Sequence, residues 1–229
     1  LSWSHYCELI KVKEDLARSF YEKQCLREKW SFRELKRQIN SLLFERIALS
    51  KDKEGVMELS RKAQLVEKPV DAIKDPYVLE FLDLEEFSNY SESDVETQII
   101  SKLKDFMLEL GRDFLFVERQ KRITVGNRHY HIDLVFYHRI LKCFVLVDVK
   151  IGELTHADTG QMDFYLSYYN KEERREGENE PIGLILCAAK NQELAKYVLA
   201  DKKNMLASEY KLKLPSEKVL QEKLQRLLE

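Results

Sequence analysis

A chain of 229 residues with 44% hydrophobic residues has ample material for one large domain or two small ones. Its formal charge of -2 excludes a uniformly basic nucleic-acid coat, but with 34% charged residues local patches remain available. No stretch approaches the roughly 18 apolar residues of a spanning helix, no charged-then-apolar leader opens the chain, and Cys7, Cys25, Cys143 and Cys187 lack zinc-type spacing.

These features lead us to expect a soluble cytoplasmic protein with free thiols and no membrane partner. The chain opens on Leu1 rather than Met, so a longer parent is expected.

The first 50 or so residues carry helical periodicity. "LARSFYEKQCLREKW" sets Leu16, Phe20, Tyr21 and then Leu26 or Trp30 near one face. Ser31 and Glu34 form a capping box for one helix over "SFRELKRQINSLLFERIAL", whose apolar stripe is Phe32, Leu35, Ile39, Leu42, Leu43 and Ile47. Arg33, Lys36, Arg37 and Arg46 fall off that stripe as a solvated face.

Between Ser50 and Ser93 the chain is more polar and reads as a connection, with one short helical piece in "DPYVLEFL". Ser93 and Glu96 then suggest a second capping box, opening a long helix that ends at Gly111.

After Gly111 the period becomes that of strands: "FLFVERQKRITV", a turn at Gly126-Asn127, "HYHIDLVFYH" and "CFVLVDVK". There follow a helix in "HADTGQMDFYLSYYN", a charged loop "NKEERREGENE", a strand in "PIGLILCAA", a helix in "NQELAKYVLAD", a short strand in "SEYKL" and a closing helix with Pro215 near its start. The expected architecture is α/β: a C-terminal mixed β-sheet flanked by helices, preceded by an all-α N-terminal domain. The division is expected at 1–88 and 89–229.

One apolar strand ends in Asp148-Val149-Lys150. Alternation puts Asp148 and Lys150 on one side and Val147 and Val149 on the other. A buried charge costs several kcal/mol or more unless it is paired or holds a metal. One strand upstream Asp133 breaks a similar apolar run, and if the strands are neighbours the two carboxylates converge on either a divalent cation or Lys150 alone.

Mg2+ or Mn2+ between Asp133 and Asp148, with Lys150 beside an attacking water or a phosphate, suits phosphodiester hydrolysis. Gln161 and Tyr165 share a helix face at i,i+4 just after this strand. Glu96 sits where a carboxylate could join the site, although a cap explains it equally.

Arg119, Lys121, Arg122, Arg128, His129 and His131 straddle the hairpin, either as phosphate contacts or as the charged guard of an edge. His129 and His131 lack a third ligand at zinc spacing, and there is no nucleophile elbow, phosphate loop or dinucleotide fingerprint.

The pattern of Glu96, Ile132-Asp133, Asp148 to Lys150 and Gln161 to Tyr165 resembles the PD-(D/E)XK nuclease superfamily, in its RecB-like branch. "LSWSHY", "RSFYEKQ", "WSFRELKRQINSLLFERIALS", "HIDLVFYH", "FYLSYYN" and "IGLILCAAKN" resemble the bacterial YhcG-like nucleases, a likeness that runs along nearly the whole chain.

The resemblance implies a restriction-endonuclease-like domain behind a helical one that serves DNA binding or dimerisation. It also implies Mg2+-dependent DNA cleavage, with Asp133 and Asp148 on the metal, Glu96 as a further carboxylate, Lys150 on the water, and Gln161 and Tyr165 in support. Two positions depart mildly from the pattern: Asp148 stands where glutamate is commoner, and Ile132 where the superfamily's name has proline. DNA is the expected partner, with a homodimer or a partner protein as further candidates. The rival reading is a catalytically silent DNA-binding or assembly module on the same fold.

Overall fold

The computed structural model describes residues 1–49, 51–84, 90–214 and 216–228. They divide into two compact units: Leu1–Leu65 together with the segment from Lys213 onward, and Val66–Leu212. The expected boundary at 88/89 and Pro215 both lie outside the described residues.

The first unit is helical: α1 (Trp3–Leu9), α2 (Asp15–Glu28), α3 (Phe32–Asn40), α4 (Leu43–Ala48), α5 (Lys53–Lys62) and α11 (Glu217–Leu228). Phe20, Tyr21, Leu35, Phe44, Val56 and Leu224 lie in its core. Trp30 is buried there while Leu26 is exposed, which settles the open choice between them.

Ser31 caps α3 by accepting the Glu34 N–H. The single helix expected over 31–49 is instead two, because the backbone turns left-handed at Leu42 (φ 53°). One tertiary bond and one local bond explain the break. The Tyr21 hydroxyl accepts the orphan N–H of Phe44 at 3.1 Å, and Arg46, expected off the apolar stripe, is buried and donates through Nε to the Ser41 carbonyl at 2.9 Å. In the stretch expected to be a connection, Asp52 caps α5 by accepting the Gly55 N–H at 2.8 Å.

The second unit contains α6 (Pro69–Ala72), β1 (Tyr77–Val78), α7 (Glu92–Ser101), α8 (Leu103–Leu110), β2 (Phe114–Val125), β3 (Arg128–His138), β4 (Cys143–Glu153), α9 (His156–Tyr168), β5 (Ile182–Ala189), α10 (Gln192–Val198) and β6 (Met205–Lys211). Its sheet runs β1-β6-β5-β4-β3-β2. β2, β3 and β4 pair antiparallel, and β4, β5, β6 and β1 pair parallel.

One face of the sheet packs Phe136, Val145, Val147, Val149 and Leu184 against Val95, Ile99, Phe106 and Leu110 of α7 and α8. The other packs Val135, Leu146, Ile185 and Cys187 against Met162 and Tyr165 of α9. Burial on both faces explains why β4 and β5 read as nearly continuous apolar runs.

Two expected helices are corrected. "DPYVLEFL" forms β1 and a 3-10 turn at Glu80–Leu82, because Tyr77 and Val78 complete the sheet edge beside Tyr210 and Lys211. The helix expected over 93–111 breaks at Lys102 into α7 and α8. Its cap is Ser91, whose Oγ accepts the Asp94 N–H at 3.2 Å while Asp94 Oδ2 accepts the Ser91 N–H at 2.7 Å. Glu96 is therefore released from capping.

β5 meets α9 closely at Gly183, where a Cβ would fall 2.6 Å from both Cγ and Sδ of buried Met162. Gly183→Val is expected to cost about 1–3 kcal/mol by overpacking. Urea denaturation of that variant, Met162→Ala and the pair should give a double mutant less destabilised than the sum of the singles.

At the end of β3, His138 is buried and its Nδ1 accepts the Leu141 N–H at 3.2 Å, which fixes the ring neutral. Burial lowers its pKa, against an opposing pull from Asp113. A folded pKa below the unfolded value near 6.5 leaves this contribution whole above pH ~6.5 and loses it as the pH falls through that range. Urea midpoints at pH 8 and 5.5 should therefore differ less in His138→Asn, which keeps an acceptor that does not titrate there, than in the parent.

Candidate functional site

Asp148 and Lys150 leave β4 on one side, as their alternation requires, while Val147 and Val149 enter the α7 and α8 face. Asp133 approaches them from β3. Its Oδ2 accepts the Val149 N–H at 2.8 Å, just past the last backbone pair between these strands, Leu134 with Val147.

The hairpin turns over at this point. Phe136 and Leu134 pack on the α7 and α8 face, but Ile132, one step of two further, packs on the α9 face. Regular alternation would have kept all three together. Gln120 lies across from Asp133, between the pairs Arg119 with Leu134 and Lys121 with Ile132, and its backbone is left-handed at φ 47°. Beyond it, β2 and β3 continue as a two-stranded ribbon to the turn at Gly126-Asn127.

Lys150 Nζ lies 3.0 Å from Asp148 Oδ2 and 3.6 Å from Glu92 Oε2. Asp148 Oδ2 has no other donor among the described residues. The Asp148 side chain is only 2% exposed. Burial and then the charge of Asp133 push its carboxyl up to about 7, against the downward pull of Lys150. Burial disfavours the Lys150 ammonium, but Asp148, Glu92 and Asp133 together outweigh it and raise its pKa to about 12. Lys150 is a held cation.

Glu96 Oε2 accepts from Gln120 Nε2 at 2.6 Å, and the same nitrogen donates to Asp133 Oδ1 at 3.2 Å. Burial, then the charge of Asp133, raises the Glu96 pKa against the bond from Gln120. On α9, Gln161 Nε2 donates to the Tyr165 hydroxyl at 2.6 Å, and that hydroxyl donates to the His131 carbonyl at 2.7 Å. This pair fastens the helix to the ribbon rather than touching Lys150.

Arg119 is exposed on β2 next to Gln120, and Arg122 and Arg128 are exposed on the ribbon. Lys121 is drawn to Glu118 at 3.2 Å and Glu173 at 4.0 Å, and Arg122 contacts the His129 ring at 2.9 Å.

A divalent cation fits this donor set. Asp148 is a buried carboxylate whose Oδ2 has Lys150 alone for a partner among the described residues, beside a second carboxylate, and oxygen-only ligands suit a hard cation. Among the described residues no three Asp, Glu, His or Cys side chains meet at metal-binding range. The protein thus offers Asp133 and Asp148, and Mg2+ is typically held by one or two carboxylates with water and phosphate completing its shell.

Glu92 and Gln120 escaped the sequence reading. Glu92 precedes Glu96 by one helical turn on α7, a signal hidden by the misplaced cap. Gln120 could have been found by counting back from the Gly126-Asn127 turn, which fixes the hairpin register.

Comparison with known proteins finds two family models along the chain. Residues 70–225 match the YhcG PDDEXK nuclease domain and residues 1–46 the DUF1016 N-terminal domain. Over 224 residues, 97% of this chain, it is 48% identical to a protein of Escherichia coli K12 named "Putative nuclease YhcG", of whose length it spans 59%.

Solved structures similar in part include a repair endonuclease from Pyrococcus abyssi, with 20% identity, 56% of this chain and 50% of that one covered, and a TM-score of 0.37. Another is an EndoMS complex with double-stranded DNA, with 14% identity, 58% and 51% covered, and a TM-score of 0.38. No described helix is long and apolar enough to cross a membrane. With its C-terminal two thirds matched and nearly its whole length aligned to that relative, the chain belongs to the YhcG family of PDDEXK nuclease domains.

Proposed function

We propose that this protein is a metal-dependent deoxyribonuclease that hydrolyses DNA phosphodiester bonds, using Mg2+ or Mn2+. PD-(D/E)XK nucleases generally use divalent metals. The observation that carries the reading is the meeting of Asp133, Asp148 and Lys150, two carboxylates and an ammonium at the end of one strand with Asp148 buried.

Asp133 and Asp148 would hold the cation, which when bound polarises a phosphate oxygen and makes water a better nucleophile. Lys150, held as a cation, orients that water or stabilises charge developing on the phosphate. Tyr165 and Gln161 keep α9 against the ribbon, so they act on the shape of the site. Arg122 and Arg128 on the ribbon and Arg119 at its base supply the phosphate contacts, with Lys121 contributing once freed from Glu118 and Glu173.

Linear, circular, single-stranded and branched DNA incubated with Mg2+ or Mn2+ test this reading. Cleavage of at least one substrate, stopped by EDTA, is the expected result. DNA binding without cleavage of any of them would favour the silent DNA-binding module instead.

Binding should rest mainly on the ribbon. Arg122→Ala with Arg128→Ala is expected to weaken DNA binding severalfold and flatten its salt dependence by about two counterions at ~0.9 per contact, as followed by fluorescence anisotropy from 50 to 200 mM salt.

A further inference from the structure

Resting on the metal-dependent reading above, we infer that Gln120 is a positioning residue for the cation: its side-chain amide sets the orientation of Asp133 and thereby the affinity of the site for a divalent ion. Nothing about the residue type requires glutamine here. It is exposed, it sits on an edge strand, and its left-handed backbone is uncommon outside glycine, asparagine and aspartate. Strained backbone is retained where the surroundings over-determine it, and functional sites are the usual place.

The side chain explains what the strain achieves. One nitrogen, Nε2, reaches Glu96 Oε2 at 2.6 Å and Asp133 Oδ1 at 3.2 Å, two carboxylates that would otherwise face each other bare. Asp133 is thereby held at both oxygens, by the Val149 N–H on Oδ2 and by Gln120 on Oδ1. Each carboxylate oxygen has two lone pairs, so each keeps one for a metal. The plane of the carboxylate is set before any ion arrives, and the ion need not immobilise it.

Gln120 supplies this without charge. A lysine or arginine there would neutralise Asp133 and compete with the ion. The neutral amide satisfies the oxygens but leaves the negative field to draw a cation. Glu96 acts through the same nitrogen as the anchor that keeps the amide aimed. Partners of this kind, one bond removed from the metal, typically govern affinity by 10–100-fold.

The test uses the full chain and reads Mn2+ binding directly, from the electron paramagnetic resonance signal of the free ion, in the parent, Gln120→Met and Asp148→Ala. Methionine keeps the length of the side chain and removes the N–H donor. The expected result is a Kd raised roughly 10–100-fold in Gln120→Met, in a variant that still unfolds in a single cooperative urea transition in EDTA, and DNA cleavage restored as Mn2+ is raised to saturation.

Parent-like Mn2+ affinity in Gln120→Met, with binding abolished in Asp148→Ala, would overturn the role of Gln120 and leave the metal reading standing. A loss of cleavage in Gln120→Met that saturating Mn2+ does not restore would overturn it too. Failure of the parent itself to bind Mn2+, or equal binding by the parent and Asp148→Ala, would remove the metal reading and this inference together.

Discussion

Asp148→Asn is expected to lose cleavage by at least about a thousandfold while the protein stays folded. The substitution keeps the shape of the side chain and removes the charge that burial and Asp133 already oppose. What it removes functionally is a ligand for the cation. An ion that binds only the folded state stabilises it by about 2.7 kcal/mol at a hundred times its Kd. The melting temperature of the parent should therefore climb as Mn2+ is titrated, and that of Asp148→Asn should stay flat. A parallel climb in both would detach Asp148 from the metal, whatever the cleavage assay gave.

Lys150→Ala should give the opposite stability signature with a comparable loss of activity. Its ammonium is the cation nearest Asp148 and also faces Glu92, and its side chain is only 15% exposed. Removing one partner of a largely buried ion pair costs roughly 3 kcal/mol, because the remaining charge is left uncompensated.

In EDTA, Lys150→Ala should consequently melt well below the parent, while added Mn2+ recovers much of the deficit by supplying the missing positive charge. Cleavage should stay down by about a hundred to a thousandfold even then, the usual consequence of removing a group aimed at developing charge. Full activity of Lys150→Ala at saturating Mn2+ would leave the lysine with a structural duty only. Comparing the two variants separates holding the metal from acting beside it, which neither achieves alone.

Most of the second unit could be read from the chain because its elements are fixed locally. The strands of Asp133, Asp148 and Ile185 announce themselves by apolar runs, and period-two alternation alone puts Asp148 with Lys150. The pairing of Gln161 with Tyr165 follows from helical spacing.

What could not be read is set by distant parts of the chain. The break at Leu42 depends on Tyr21 reaching Phe44, and β1 exists because β6 offers it an edge. Glu96 was ambiguous because Ser93 satisfies the capping arithmetic as well as Ser91 does; the choice between them decides whether Glu96 is a cap or a member of the site. The reversal of the hairpin at Asp133 follows from the backbone of Gln120, a residue type that gives no warning of a left-handed turn.

The division of the chain also dictates an order of events during synthesis. The helical unit takes its first five helices from the start of the chain and α11 from its end, with residues 66–212 inserted between. Leu224, buried among Phe20, Phe44 and Val56, cannot take its place until residues 66–212 have been made. The inserted unit, whose core residues all come from its own segment, can leave the ribosome and fold while α1–α5 still wait for α11. A stop codon after residue 212 would therefore spare the inserted unit and leave α1–α5 with an open core.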